Sequence, residues 1–259
     1  MPGFVCSQFR QLRLFYVRYQ GQLFPVQLQP LLVQLAQSLI YAVIHDLYHL
    51  TALQPVQPYQ RQLDLALDRG CKKVLLASSS AVYGLARDRP FVELDVPCPS
   101  SQYGVSKLRM ENSLEEYRRS GISICCLRIG NVLGADSLWL NKNIASVECP
   151  IKLDRFTNGL GPLRSYIEPS TLLDVLIALS HTEARDLPQC LNLANPQPTS
   201  MHDILHALGV PWEWKPGSVE ASQNIVLNCS LLEKFFSFSD IETSAATMVN
   251  NVLKIEGFA

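Results

Sequence analysis

The sequence predicts an α/β fold with a parallel sheet, truncated or irregular on its N-terminal side, and a small C-terminal α/β lobe. Three observations carry this. The apolar run 74–77 feeds straight into Ser78, Ser79 and Ser80, as a buried strand delivers polar groups to the sheet rim where open α/β folds place ligands. The run 122–128, ISICCLR, has no polar alternation, as expected of a strand covered on both faces. Between them, Tyr103 and Lys107 stand four residues apart in a helical pattern, one turn apart on one face.

The first sixty-odd residues differ in composition from the rest. They hold twelve of the sixteen glutamines, a single acid, Asp46, and two glycines, Gly3 and Gly21. A helix is predicted over about 30–41, with Pro30 at its first position and Leu32, Leu35 and Leu39 along one stripe. A short strand follows, at 46–52 or, in an overlapping reading, at 42–45. After the Gln54–Pro58 loop, a helix over 59–69 stops at Gly70. The strand 74–77 comes next, then a loop over 85–101 with Pro90, Pro97 and Pro99, read as an exposed connection.

Beyond it, a helix is predicted over about 101–119, ending at Gly121. The strand 122–128 leads to Asn131 and Gly134, and 135–162 reads as irregular. A strand is expected at 163–167. Ser170 or Thr171 caps a helix to about Thr182, and a short strand follows at 190–194. Ser200-Met-His-Asp203 has the form of a capping box for a helix to Leu208, closed by Gly209. Trp212 and Trp214 fall in a loop after Pro211. A strand at 224–228 and helices over about 230–236 and 239–254 complete the lobe. The expected division is an atypical glutamine-rich segment over 1–41, a core over 42–134 and a lobe over 135–259 interleaved with the end of the core.

Composition narrows the functions. A 259-residue chain that is 47% hydrophobic can bury a substantial core. A net charge of −1 argues against a surface built to attract nucleic acid or anionic membrane. The eight cysteines show no CxxC spacing and fit reduced thiols in a cytoplasmic protein. No secretory pattern stands at the start, and polar residues break the apolar stretch 31–50, so no membrane span is expected. His202 and His206 imitate a zinc-protease helix, but Asp203 stands where the general-base Glu belongs and no third ligand is evident. No metal site is expected.

The Tyr103–Lys107 pair suggests proton chemistry. A phenol with a pKa of ~10 is a poor base at neutral pH. An ammonium about 4 Å away at an effective dielectric of ~20 contributes roughly 4 kcal/mol, about three pKa units. Such a pair brings a phenol into range to take a proton from a hydroxyl or return one. A serine at the strand end could hold the substrate oxygen.

Together the Ser cluster, Val82-Tyr83-Gly84, the Pro-rich loop and Tyr103-Gly-Val-Ser-Lys107 resemble the extended short-chain dehydrogenase/reductase family, in its NAD-dependent epimerase/dehydratase branch. The resemblance implies a Rossmann-like core and an isomerase or oxidoreductase working on a sugar or nucleotide-sugar with NAD or NADP. Carried onto this chain, Ser79, Tyr103 and Lys107 are the catalytic residues. Lys107, Tyr103 and Ser78 are the cofactor-side residues, and Ser80, Asn131 and Arg164 the substrate-side ones. Asn131 could equally be a turn residue, and Arg164 either a phosphate ligand or a structural arginine. A homodimer through the helix bearing Tyr103 and the one before it is also implied.

The chain departs from the family in one respect. It contains no Gly-x-Gly-x-x-Gly turn, the element that brings a pyrophosphate against a helix N-terminus. That leaves a second expectation open, a non-catalytic binding protein that keeps the Ser/Tyr/Lys set without the dinucleotide phosphate site.

Overall fold

The computed structural model describes residues 15–19, 22–26, 41–43, 57–218, 221–239 and 241–256. The predicted helix at 30–41 and the strand reading at 46–52 lie outside them. Strands β1 (Phe15–Tyr19) and β2 (Gln22–Val26) pair antiparallel in a hairpin that the composition did not suggest.

The central sheet is parallel. Among the described residues its strands are β3 (Tyr41–Val43), β4 (Lys73–Ser79), β5 (Ser123–Ile129) and β10 (Cys190–Leu193), in spatial order β10-β5-β4-β3. Helix α1 (Gln57–Asp68) joins β3 to β4, and α2 (Gln102–Asn112), with a short helix at Glu115–Arg119, joins β4 to β5. The single helix expected over 101–119 is therefore two pieces.

Alternation along β4 and β5 sorts their side chains between two cores. Val74, Leu76, Ile124 and Cys126 pack on Leu63 and Ala66 of α1 and Met110 of α2. Leu75, Cys125, Leu127 and Leu191 face the opposite way, onto Val175, Leu176 and Leu179 of α3 (Pro169–His181). The β4 side chain of Lys73 donates to the carbonyls of Ser180 and Thr182, which puts a cation against the negative end of α3.

The C-terminal half departs further from expectation. Residues 135–162 contain a short helix at Ser137–Leu140 and strand β7 (Ile151–Arg155). Residues Trp212–Pro216 are strand β12, parallel to β7, where a loop was expected. The stretch 163–167 is two short strands, β8 (Leu163–Arg164) and β9 (Tyr166–Ile167). Strand β9 pairs with β6 (Asn131–Val132), and β8 lies between β11 (Thr199–Ser200) and β13 (Asn224–Ile225).

Helix α4 (Met201–Leu208) follows Ser200, but that serine makes no side-chain cap bond; its Oγ lies 2.5 Å from His202 Nδ1. The helices expected over 230–236 and 239–254 reduce to a 3-10 turn at Leu232–Lys234 and α5 (Ala245–Glu256). Helices α4 and α5 close a third core around Trp139, Leu153, Tyr166 and Val249.

The loop 85–101 is not simply exposed. Phe91 is fully buried, bridges to Leu227 and stacks on Tyr83 at 4.7 Å, whereas Leu94 and Val96 face solvent. Among the described residues, no helix is long and apolar enough to cross a membrane, and no cluster of three metal-ligating side chains occurs.

Candidate active site

Strand β4 ends at Ser79, whose extended backbone (φ −148°) opens the 3-10 turn Ser80–Val82. The Ser79 Oγ accepts from the Ala81 N–H at 3.2 Å, so its own proton is directed elsewhere. It stands close enough to the phenol of Tyr103 to act on that group's pKa.

Helix α2 delivers that phenol. Its N-cap, Ser101, accepts from the Gly104 N–H at 3.1 Å. Gly104 lies so close to the Ser80–Val82 turn that an added Cβ would stand 2.3 Å from the Ala81 carbonyl oxygen. Only glycine permits that approach, and the approach seats Tyr103 beside Ser79. Gly84 serves the far side of the turn. It has φ +84°, and a Cβ there would meet the Cys98 carbonyl oxygen at 1.9 Å, so the loop 85–101 folds back against it.

Lys107, one turn along α2, donates from Nζ to the Ala77 carbonyl at 3.1 Å, and its Nζ lies 5.8 Å from the centroid of the Tyr103 ring. The structure thus brings together Ser79, Tyr103 and Lys107, all half-buried at the carboxyl end of β4. The electrostatics differ from the expected lysine-acidified phenol. Burial pushes the Tyr103 pKa above its ordinary value, and the Ser79 hydroxyl works against that rise. Desolvation is the larger of the two, so the phenol is a proton donor at neutral pH.

Ser78 does not join this group. It is buried, and its Oγ donates to Glu111 Oε1 at 2.5 Å. Residues alternate along a strand, so Ser78 and Ser79 leave β4 on opposite faces. Ser80 begins the turn next to Ser79 and is half-buried.

Asn131 donates to Asp136 Oδ2 at 3.4 Å, and Tyr166 donates to the same oxygen at 3.1 Å. Burial pushes the Asp136 carboxyl up, against its bonds from Trp139 N–H, Tyr166 and Asn131. Asn131 is thus tied into an internal polar cluster.

Arg164 donates from Nη1 to the carbonyls of Leu163 (2.8 Å) and Gln223 (2.7 Å), and from Nη2 to that of Ser222 (2.8 Å). Among the described residues its hydrogen bonds go to neutral carbonyls, and burial lowers its pKa. Three of five N–H donors are engaged in this way.

Sequence reasoning missed Glu111 and Arg128. Glu111 accepts from Arg128 Nη2 at 2.8 Å, and Arg128 Nη1 donates to Tyr83 Oη (3.0 Å) and the Glu93 carbonyl (3.1 Å). The available signal was spacing, because Glu111 follows Lys107 by four residues and so shares its helix face.

Comparison with known proteins places this geometry in context. The family model described as "NAD dependent epimerase/dehydratase family" matches residues 55–166. A UDP-glucose 4-epimerase of Halalkalibacterium halodurans is 28% identical over 107 residues, covering 38% of this chain and 32% of that protein. A UDP-glucose 4-epimerase of Lacticaseibacillus casei is 27% identical over 158 residues, covering 53% and 48%. These matches thus span less than half the length of either curated relative.

Among solved structures, the NAD dependent NDP-hexosamine 5,6-dehydratase TunA superposes with a TM-score of 0.63 at 19% identity, over 79% of this chain and 69% of its own. The Thermus thermophilus UDP-glucose 4-epimerase, solved in complex with NAD, superposes with a TM-score of 0.59 at 20% identity, over 74% and 68%. At such identities the likeness is one of fold.

Proposed function

We propose that the chain belongs to the NAD dependent epimerase/dehydratase family, whose model matches residues 55–166, and that it is an NAD(P)-dependent enzyme acting on a nucleotide-sugar. The observation that carries the reading is the nearness of the Ser79 hydroxyl to the Tyr103 phenol, with the Lys107 ammonium beside the same ring. Lys107 and Tyr103 offer donor atoms at the carboxyl end of β4, which fits the diol of a cofactor ribose. When bound, NAD(P) supplies the acceptor and donor of hydride.

The roles of the chain's own residues follow from the bonds they make. Ser79, oriented by the Ala81 N–H, holds a sugar hydroxyl or keto oxygen beside Tyr103. Tyr103, protonated at neutral pH, gives a proton to a keto oxygen and, once ionised, takes one from a hydroxyl. Lys107 adds positive charge that favours the ionised phenol as water is excluded. On the substrate side, two Arg164 N–H donors have no acceptor among the described residues, and a guanidinium whose described bonds all go to neutral carbonyls is receptive to an anion. Ser80 and Asn131 border the sugar, and residues 135–259 form the substrate side. A homodimer and a cytoplasmic setting belong to the same proposal.

The test is turnover. Purified protein with NAD and UDP-hexoses is followed by chromatography of the nucleotide-sugars and by absorbance of reduced nicotinamide. Conversion in the wild type and none in Tyr103→Phe is expected. Equal conversion in both would remove the tyrosine from its role.

One sequence feature favours a second reading. Without a Gly-x-Gly-x-x-Gly turn, the pyrophosphate must find other donors, and a nucleotide-sugar binding protein without redox chemistry would need none. Saturable binding of UDP-sugar with no binding of NAD(P) would select it.

A further inference from the structure

Tyr103, Lys107 and Glu111 are spaced by four along α2 and lie on successive turns of one face. Each meets the end of β4: Tyr103 stands near the hydroxyl of Ser79, Lys107 donates to the carbonyl of Ala77, and Glu111 accepts from the hydroxyl of Ser78. The third contact is of a different kind from the first two. It is buried, with Glu111 and Arg128 side chains 8% and 6% exposed. The carboxylate also receives Arg128 Nε at 3.2 and 3.3 Å and Nη2 at 2.8 Å. Arg128 lies directly across the sheet from Ser78, as its register partner on β5.

A buried ion pair is a costly way to hold a helix on a sheet, since apolar side chains of similar volume commonly do as well or better. What this one adds is direction. The Glu111 carboxylate is fixed by Arg128 and grips Ser78, the residue next to Ser79. A slide or rotation of α2 that would separate Tyr103 from Ser79 must also break the Ser78–Glu111 bond. The other end of Arg128 holds Tyr83 and the Glu93 carbonyl, and Tyr83 donates to Asn192 Oδ1 at 2.6 Å. The same guanidinium therefore anchors the loop over 85–101.

We propose that Ser78, Glu111 and Arg128 form a register lock that sets the Ser79–Tyr103 geometry, each a positioning residue with no contact to the reacting atoms. The proposal rests on the reading of Ser79 and Tyr103 as the reaction centre.

The test uses the full chain labelled with 13C at tyrosine Cζ, with the Tyr103 resonance assigned by its loss in Tyr103→Phe. Ser78→Ala removes the hydroxyl and leaves the ion pair, so the melting temperature is expected to fall by no more than about 4 °C. The Tyr103 resonance is expected to move away from its wild-type position while those of the other tyrosines remote from the network stay in place. Where turnover is measured, kcat is expected to fall about tenfold, as a small misplacement of reacting groups allows, with KM for cofactor unchanged within experimental error. Ser78→Thr, which keeps the hydroxyl, restores both. Should Ser78→Ala fail to fold, Arg128→Lys loosens the lock from the other strand and carries the same resonance expectation.

An unmoved Tyr103 resonance together with wild-type kcat in Ser78→Ala overturns the lock and leaves the proposed function standing. A moved resonance in a protein that turns over no nucleotide-sugar supports the lock and defeats the proposed function.

Discussion

The Arg128 guanidinium meets the Glu111 carboxylate at 2.8 Å in the interior, with less than a tenth of either side chain exposed. Removing one partner strands the other charge in a low-dielectric setting. Arg128→Ala is expected to destabilise the fold by about 3–5 kcal/mol, read as a fall in the urea midpoint. Glu111→Leu combined with Arg128→Met is expected to recover most of that loss. A double variant no more stable than Arg128→Ala would show that the hydrogen bonds to Ser78, Tyr83 and Glu93, rather than the stranded charge, account for the cost.

Gly104 provides a prediction in which two effects oppose. In a helix interior, Gly→Ala favours the helix by about 1 kcal/mol. Here the new methyl would stand 2.3 Å from the Ala81 carbonyl oxygen, a backbone atom with little room to retreat. The steric term is expected to prevail at about 1–3 kcal/mol, so Gly104→Ala lowers the melting temperature and displaces Tyr103. A stabilised Gly104→Ala protein would contradict the close approach of α2 to the turn.

Burial also sets an alkaline limit to stability. It pushes Tyr83, Cys126 and Cys229 up to about 12, from ordinary values of 10.0 for the phenol and 9.0 for the thiols. The unfolded chain therefore loses these protons first, and between those values the folded state binds more of them. Stability must then fall as pH rises through that window. Melting temperatures are expected to decline steadily from about pH 9 to pH 12; a flat profile there would place these side chains in contact with water.

Tyr103 links pH to rate. Its phenol is held above its ordinary value by burial, so the ionised form grows about tenfold per pH unit across the neutral range. Oxidation of a sugar hydroxyl is expected to accelerate with pH, and reduction of a keto sugar to be fastest at lower pH. Tyr103→Phe is expected to lose at least about 100-fold in turnover while changing stability by no more than about 1 kcal/mol. A pH-independent rate in both directions would assign proton transfer elsewhere.

The Ser79–Tyr103–Lys107 set was legible in the sequence because its parts are local signals: a strand running into serines, and a spacing of four in a helix. Parallel strands β4 and β5 were legible as apolar runs. The Glu111–Arg128 network was not, because it joins residues 17 and 33 positions apart whose meeting depends on how α2 lies over the sheet. Ser78 was assigned to the cofactor side because three consecutive serines look alike in sequence; strand alternation separates them in space.

Trp212 and Trp214 read as a loop because they follow Pro211, although alternation of aromatic with charged residues is a strand pattern. Pairing with β7 decides their conformation, and pairing is non-local. Phe91 sits in a proline-rich connection yet fills the core beside Tyr83. The direction of the Tyr103 shift was not legible either, because the sequence cannot show how far burial desolvates the phenol.

The central claim is that the half-buried Tyr103–Lys107 pair at the end of β4 faces a nicotinamide cofactor. Titration of the wild type, Tyr103→Phe and Lys107→Ala with NADH and NADPH, by calorimetry, tests it directly. The account predicts saturable binding of one of them to the wild type, nearly equal binding to Tyr103→Phe, and binding weakened by about tenfold or more in Lys107→Ala, the loss of a charge-assisted contact. No heat of binding at millimolar cofactor, or equal affinity with and without Lys107, would contradict it.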